Sequence, residues 1–130
     1  MDFMTPVRET LFGTPTENNR YSPFSEDFAG LANVLFHGTS EDRAKSIIQN
    51  GFSPTEELRS SSFTTSPGLA LGYACENRHG EIRGAVLVVS FKTINVPGIR
   101  NEGDIVYLDD HSMQPTIVAV CYIPASYRHI

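Results

Sequence analysis

Helical spacing occurs in two short stretches of this sequence, and both precede Gly84. The regular segments after it run apolar or alternate in the manner of strands. Helices early and paired strands late predict an α+β domain with two helices packed on a curved, largely antiparallel sheet. In the first helical stretch, Val34-Leu35-Phe36 reads as a buried strand that ends at His37-Gly38-Thr39. Ser40 to Asn50 then reads as a helix: Ala44, Ile47 and Ile48 share a face, Glu41 and Asp42 sit in the first turn, and Gly51 supplies the stop. In the second, Phe63-Thr64-Thr65 leads into Ser66-Pro67, a cap followed by proline at the first helical position. Ala70, Tyr73 and Ala74 are the expected apolar stripe of that helix.

The later strands are expected over Ala85 to Lys92, Asp104 to Leu108 and Thr116 to Ile123, with the Asn95-Val96-Pro97-Gly98 turn after the first. Residues 1–30 have another texture. Pro6, Pro15 and Pro23 interrupt any period, and Phe3, Phe12, Phe24 and Phe28 are scattered through what reads as an irregular arm lying over the core. At 130 residues, the chain divides into this arm and one domain over 31–130.

Composition narrows the function classes. The net charge is −5, which argues against binding nucleic acid through bulk charge, although ten Lys and Arg leave room for a local basic patch. No run approaches the roughly 20 apolar residues of a membrane span, and no charged-then-apolar leader pattern opens the chain. The expected location is therefore the cytoplasm, or a target cell into which the chain is delivered as an effector. Cys75 and Cys121 read as free thiols in a helix and a strand. His79, His111 and His129 are too scattered for a metal cluster, and neither a dinucleotide-binding glycine fingerprint nor a phosphate loop occurs.

What remains is His37-Gly38-Thr39. A histidine at the end of a buried strand, beside a glycine that lets a ligand approach the backbone, presents a polar ring and bare peptide groups to a small molecule. Standing alone, the triplet would more often be a core histidine and a turn glycine. It does not stand alone. The stretch LFHGTSEDRAKSIIQNGF resembles the opening of ADP-ribosyltransferase domains of the diphtheria-toxin and poly(ADP-ribose) polymerase type, where a strand ends in His-Gly-Thr or His-Gly-Ser and feeds a helix. SSFTTSPGLALGYA is similar to the family's second segment, which carries an aromatic ten residues after the strand's Phe; here these are Tyr73 and Phe63. NEGDIVYLDDHSMQPTIVAV is similar to the third, with an acidic residue before an Ile-Val-Tyr-like strand and a turn containing Gln. The resemblance runs from about Val34 to Ile123.

It implies NAD as the substrate, a monomeric ADP-ribosyltransferase as the protein, and a protein or small molecule as the acceptor. The NAD-binding residues it implies are His37, Gly38, Thr39, Ser62, Phe63, Thr64 and Tyr73. His37 would bond the nicotinamide ribose, Gly38 would meet the carboxamide through its backbone, and Tyr73 would stack on the ring. A carboxylate, Glu102 or else Asp104, would join His37 as catalytic by stabilising the positive charge that develops as nicotinamide leaves. If a strand begins near these two carboxylates, they share one of its faces. Ser62 stands where the polymerase pattern has Tyr, and Ala70 where it often has Ser. Thr64-Thr65-Ser66 is similar instead to the Ser-Thr-Ser motif of the cholera-toxin branch, whose first motif has Arg in place of His. Two other functions fit the same residues: a pseudoenzyme that binds NAD or ADP-ribose without turnover, and the related RNA 2′-phosphotransferase, which the acidic balance disfavours.

Overall fold

The computed structural model describes residues 7–25, 28, 31–55, 58–78 and 80–129; Phe3, Pro6 and His79 lie outside them. Among the described residues, seven strands form one sheet with two α-helices packed on it, so the α+β, mostly antiparallel class holds. In chain order the elements are β1 (Arg8–Thr10), a 3-10 turn (Glu17–Asn19), β2 (Val34–Ser40), α1 (Glu41–Asn50), β3 (Ser61–Thr64), α2 (Pro67–Asn77), β4 (Gly84–Ser90), β5 (Ile99–Glu102), β6 (Ile105–Leu108) and β7 (Thr116–Ile123). Across the sheet they run β1-β7-β4-β2-β3-β6-β5.

Two strands depart from the sequence expectation. The arm was expected to be irregular, yet β1 pairs parallel with β7 and makes part of the arm an edge of the sheet. A strand of three residues is too short to leave a period among prolines. The second is β5, within a stretch that reads as loop. It pairs antiparallel with β6 across a two-residue turn, with Glu102 opposite Ile105. Gly103 takes φ 71° there while Asp104 keeps negative φ, as in a type II′ hairpin turn with glycine first. Glu102 therefore closes one strand and Asp104 lies in the turn. They do not share a strand face, contrary to expectation.

The pleat sorts side chains onto two faces. Leu35, Ala85, Leu87, Val89, Phe63, Val106, Leu108 and Val120 form one core with Ala44 of α1 and Phe52. Val86, Val88, Ala119 and Cys121 form the other with Ala70, Leu71 and Ala74 of α2 and Phe24 of the arm. Helix α1 starts at Ser40, whose hydroxyl accepts from Arg43 N (3.3 Å), and stops at Gly51 with φ 83°. Ser66 caps α2 through Leu69 N (3.1 Å). The apolar stripe of α2 is Ala70, Leu71 and Ala74. Tyr73, expected on that stripe, is 40% exposed and turned away from the core.

Gly38 earns its place by packing. A Cβ on it would lie 1.9 Å from the carbonyl oxygen of Ala70, and one on Gly84 would lie 2.6 Å from that of Ala74. Glycine at these neighbouring strand positions lets α2 lie backbone-close on β2 and β4. Gly38 is thus a strand residue docked against a helix, neither a turn nor a gap left for a ligand on its Cα side.

Candidate functional site

Among the described residues, strands β2 and β3 are the only neighbours in the sheet held by a single residue pair, Phe36 with Thr64. β2 continues to Ser40 in full register with β4, while β3 pairs along its whole length with β6. Beyond Phe36 the two strands therefore part, and the sheet opens. Alternate residues of an antiparallel strand aim their peptide groups to opposite sides. Half of the peptide groups between His37 and Ser40 consequently face this opening without a strand partner among the described residues.

The opening forms a cleft with two adjoining chambers of about 230 Å³ each, which share His37, Thr39, Arg43, Leu58 and Ser62. The first is walled by Gly38, Phe63, Thr64, Ile105, Tyr107 and, from α2, Tyr73 and Asn77. All seven residues expected to bind NAD line this one chamber. The second is rich in hydroxyls, with Ser46, Ser53, Thr55, Ser60 and Ser61 around it.

His37 is the hinge of the cleft. Its Nδ1 lies 2.6 Å from the carbonyl oxygen of Ser62 and takes the place of the strand pairing that is lost there. A carbonyl only accepts, so Nδ1 carries the hydrogen and Nε2 is left as an acceptor. Phe52 stands edge-on to the ring at 5.1 Å and Phe63 lies at 5.5 Å. Desolvation by these neighbours holds the imidazole pKa below its ordinary 6.5; the Ser62 bond opposes the shift and the charge of Arg43 adds to it. The ring is neutral at pH 7. Phe52 is itself braced by Gln114, whose Oε1 accepts from Phe52 N and whose Nε2 donates to Phe52 O, both at 2.8 Å.

Thr39 is buried, and Thr64 spends its hydroxyl on Ser66 N (3.1 Å) at the entry to α2. The two carboxylates stand apart from this set. Neither Glu102 nor Asp104 lines the chambers. Glu102 is half exposed and paired with Arg100, which also bonds Asp109 (3.1 Å) and lies 4.4 Å over the ring of Tyr107. Cross-strand partners share a face, so Glu102 lies on the face of Ile105 and Tyr107, at the outer edge beyond the chamber wall. Asp104 contributes its backbone carbonyl to Thr65 N (3.1 Å). His111 bonds Ser61 Oγ (2.9 Å), and His129 lies beside Tyr127.

Arg43 and Tyr107 escaped the sequence reading. Tyr107 follows from the alternation of β6 once Ile105 is placed. Arg43 carries a subtler signal: it is a cation in the first turn of α1, where the helix dipole disfavours positive charge. Among the described residues its guanidinium has no ion-pair partner. Comparison of the chain with protein-family models, with curated proteins and with solved structures finds no match. Among the described residues, no helix is long and apolar enough to cross a membrane.

Proposed function

We propose that the chain is an NAD-dependent mono-ADP-ribosyltransferase that binds NAD in the cleft between β2 and β3. The observation that carries this reading is convergence. Seven residues from two separate segments, implied by a sequence resemblance, surround one chamber. Nicotinamide stacks on Tyr73 with its carboxamide at the open peptide edge of β2. The ribose donates a hydroxyl hydrogen to Nε2 of His37. The two phosphates lie in the second chamber, where Arg43 supplies charge and the serines supply donors.

The reaction breaks the glycosidic C–N bond of NAD, and nicotinamide leaves with the bonding electrons. The acceptor nucleophile forms a new bond to the same carbon and gives up its proton. Glu102 is the carboxylate that faces the developing oxocarbenium charge, and its pairing with Arg100 must loosen for it to do so. That pairing also favours the second reading, a module that binds NAD without turnover. Incubation with NAD labelled in the ADP-ribose half separates the two. Nicotinamide release with transfer of label supports the transferase. Binding without release, across protein, RNA and small-molecule acceptors, supports the binding module.

A further inference from the structure

Phe36 has a second side. Where it leaves the cleft it borders another cavity, of about 410 Å³, built between the arm and the start of α2 and lined by Phe24, Phe28, Val34 and Pro67 with Arg20 and Ser25. That volume lies within the usual range for a small-molecule pocket. Its walls are aromatic: Phe28 stands edge-on to Phe24 at 5.3 Å, and Phe36 lies tilted to Phe24 at 6.1 Å. Phe24 is buried in the α2 face of the core and forms the floor, whereas Phe28 and Phe36 remain partly accessible.

The arm is held over this cavity in an uncommon backbone state. Arg20 and Tyr21, neither of them glycine, take left-handed φ values of 57° and 59° in succession. The turn is over-determined. Asn19 Oδ1 accepts from Thr16 N (2.8 Å) and Ser22 N (3.2 Å), and its Nδ2 donates to Thr14 O (2.9 Å). The Arg20 carbonyl rests against Gly68 of α2, where a Cβ would stand only 2.6 Å away. Held strain of this kind concentrates at binding sites. Here it places Arg20 in the cavity lining, and among the described residues its guanidinium is without an ion-pair partner.

We infer that this arm cavity is the acceptor-side site, and that it takes a small nucleotide whose base packs on Phe28 and Phe36 and whose phosphate meets Arg20. The inference rests on the transferase reading for the word acceptor: the donor's phosphates occupy the Arg43 chamber, so the cavity across Phe36 is left for the second substrate. Aromatic walls suit any flat base, and the Arg20 guanidinium, with that of Arg8 6.0 Å over the Phe28 ring, favours an anion there.

The test is an amide-shift titration of the whole chain with AMP and with UMP, alone and with saturating NAD. The expected result is shifts at Arg20, Ser25, Phe28 and Phe36 that persist when NAD is present. Arg20→Gln and Phe28→Leu should each weaken nucleotide binding at least tenfold, leave NAD binding unchanged and keep the melting temperature. Absence of arm shifts at millimolar nucleotide overturns the site. Displacement of AMP from the arm by NAD overturns the acceptor assignment, because the cavity would then belong to the donor. Nicotinamide release from NAD, read on the same samples, reports separately on the transferase reading.

Discussion

Nδ1 of His37 stands 2.6 Å from the carbonyl oxygen of Ser62, and that contact spans the place where β2 and β3 part. It fixes the tautomer, steadies both lips of the cleft and leaves Nε2 as an acceptor. A histidine that replaces a missing strand contact is structural and cleft-lining at once. His37→Ala should therefore cost stability as well as NAD affinity, on the order of 1–3 kcal/mol of the former. Thermal melts beside calorimetry with NAD read the two effects. Full affinity in a destabilised variant would leave His37 a purely structural role.

Acid should weaken the protein in two stages. Folded His37 holds its proton less tightly than an unfolded histidine of pKa 6.5, so the unfolded chain takes up more protons as the pH drops below that value and stability falls. Glu41 acts lower down. Hydrogen bonds from Arg83 and Lys45 hold its carboxyl at about 2 against an ordinary 4.5, so its contribution is complete above 4.5 and is lost toward pH 2. Denaturant melts from pH 8 to pH 3 should show a decline beginning near 6.5 that His37→Gln abolishes. An unchanged profile in that variant would contradict the assignment.

Gly38 and Gly72 should respond in opposite directions to the same substitution. Gly38→Ala drives a methyl into the Ala70 carbonyl and should cost more than about 3 kcal/mol or prevent folding. A Cβ at Gly72, inside α2, meets His129 no closer than 3.6 Å, so Gly72→Ala should stabilise by up to about 1 kcal/mol through helix propensity. Urea titration measures both.

How much of this was legible in the sequence depends on how far each signal reaches along the chain. Helix α1 was, because Ser40, the Ala44-Ile47-Ile48 stripe and Gly51 are local and agree with one another. Strand β7 was, because eight residues rich in Val and Ile leave few alternatives. The seven chamber residues were named through motif order alone. Their convergence depends on the parting of β2 and β3, which no local pattern announces. Strand β5 was hidden because only Ile99 of its four residues is buried, so it looks polar throughout. Gly103 was unreadable for a related reason: a hairpin turn displaced the acidic residue from the strand that was expected to carry it.

Of the two carboxylates, Glu102 should matter and Asp104 should not. Glu102 shares a face with the chamber wall, whereas Asp104 sits in the hairpin turn. Glu102→Gln should lower turnover by about 10²- to 10³-fold with NAD affinity nearly intact, as expected of a group that acts on transition-state charge. Asp104→Asn should stay within about threefold of the parent, roughly the effect of a surface substitution. Nicotinamide release under single-turnover conditions is the readout, and equal rates for all three proteins would move the acid elsewhere.

The central claim is that NAD enters the gap between β2 and β3. An amide-shift titration of the whole chain with NAD tests it without needing an acceptor or turnover. The account predicts saturable shifts at Gly38, Thr39, Ser62 and Tyr73, with Arg43 and Ser46 following in the second chamber, and an affinity that falls at least tenfold in Arg43→Gln. Absence of shifts at these residues with millimolar NAD, or shifts confined to other surfaces, would contradict it.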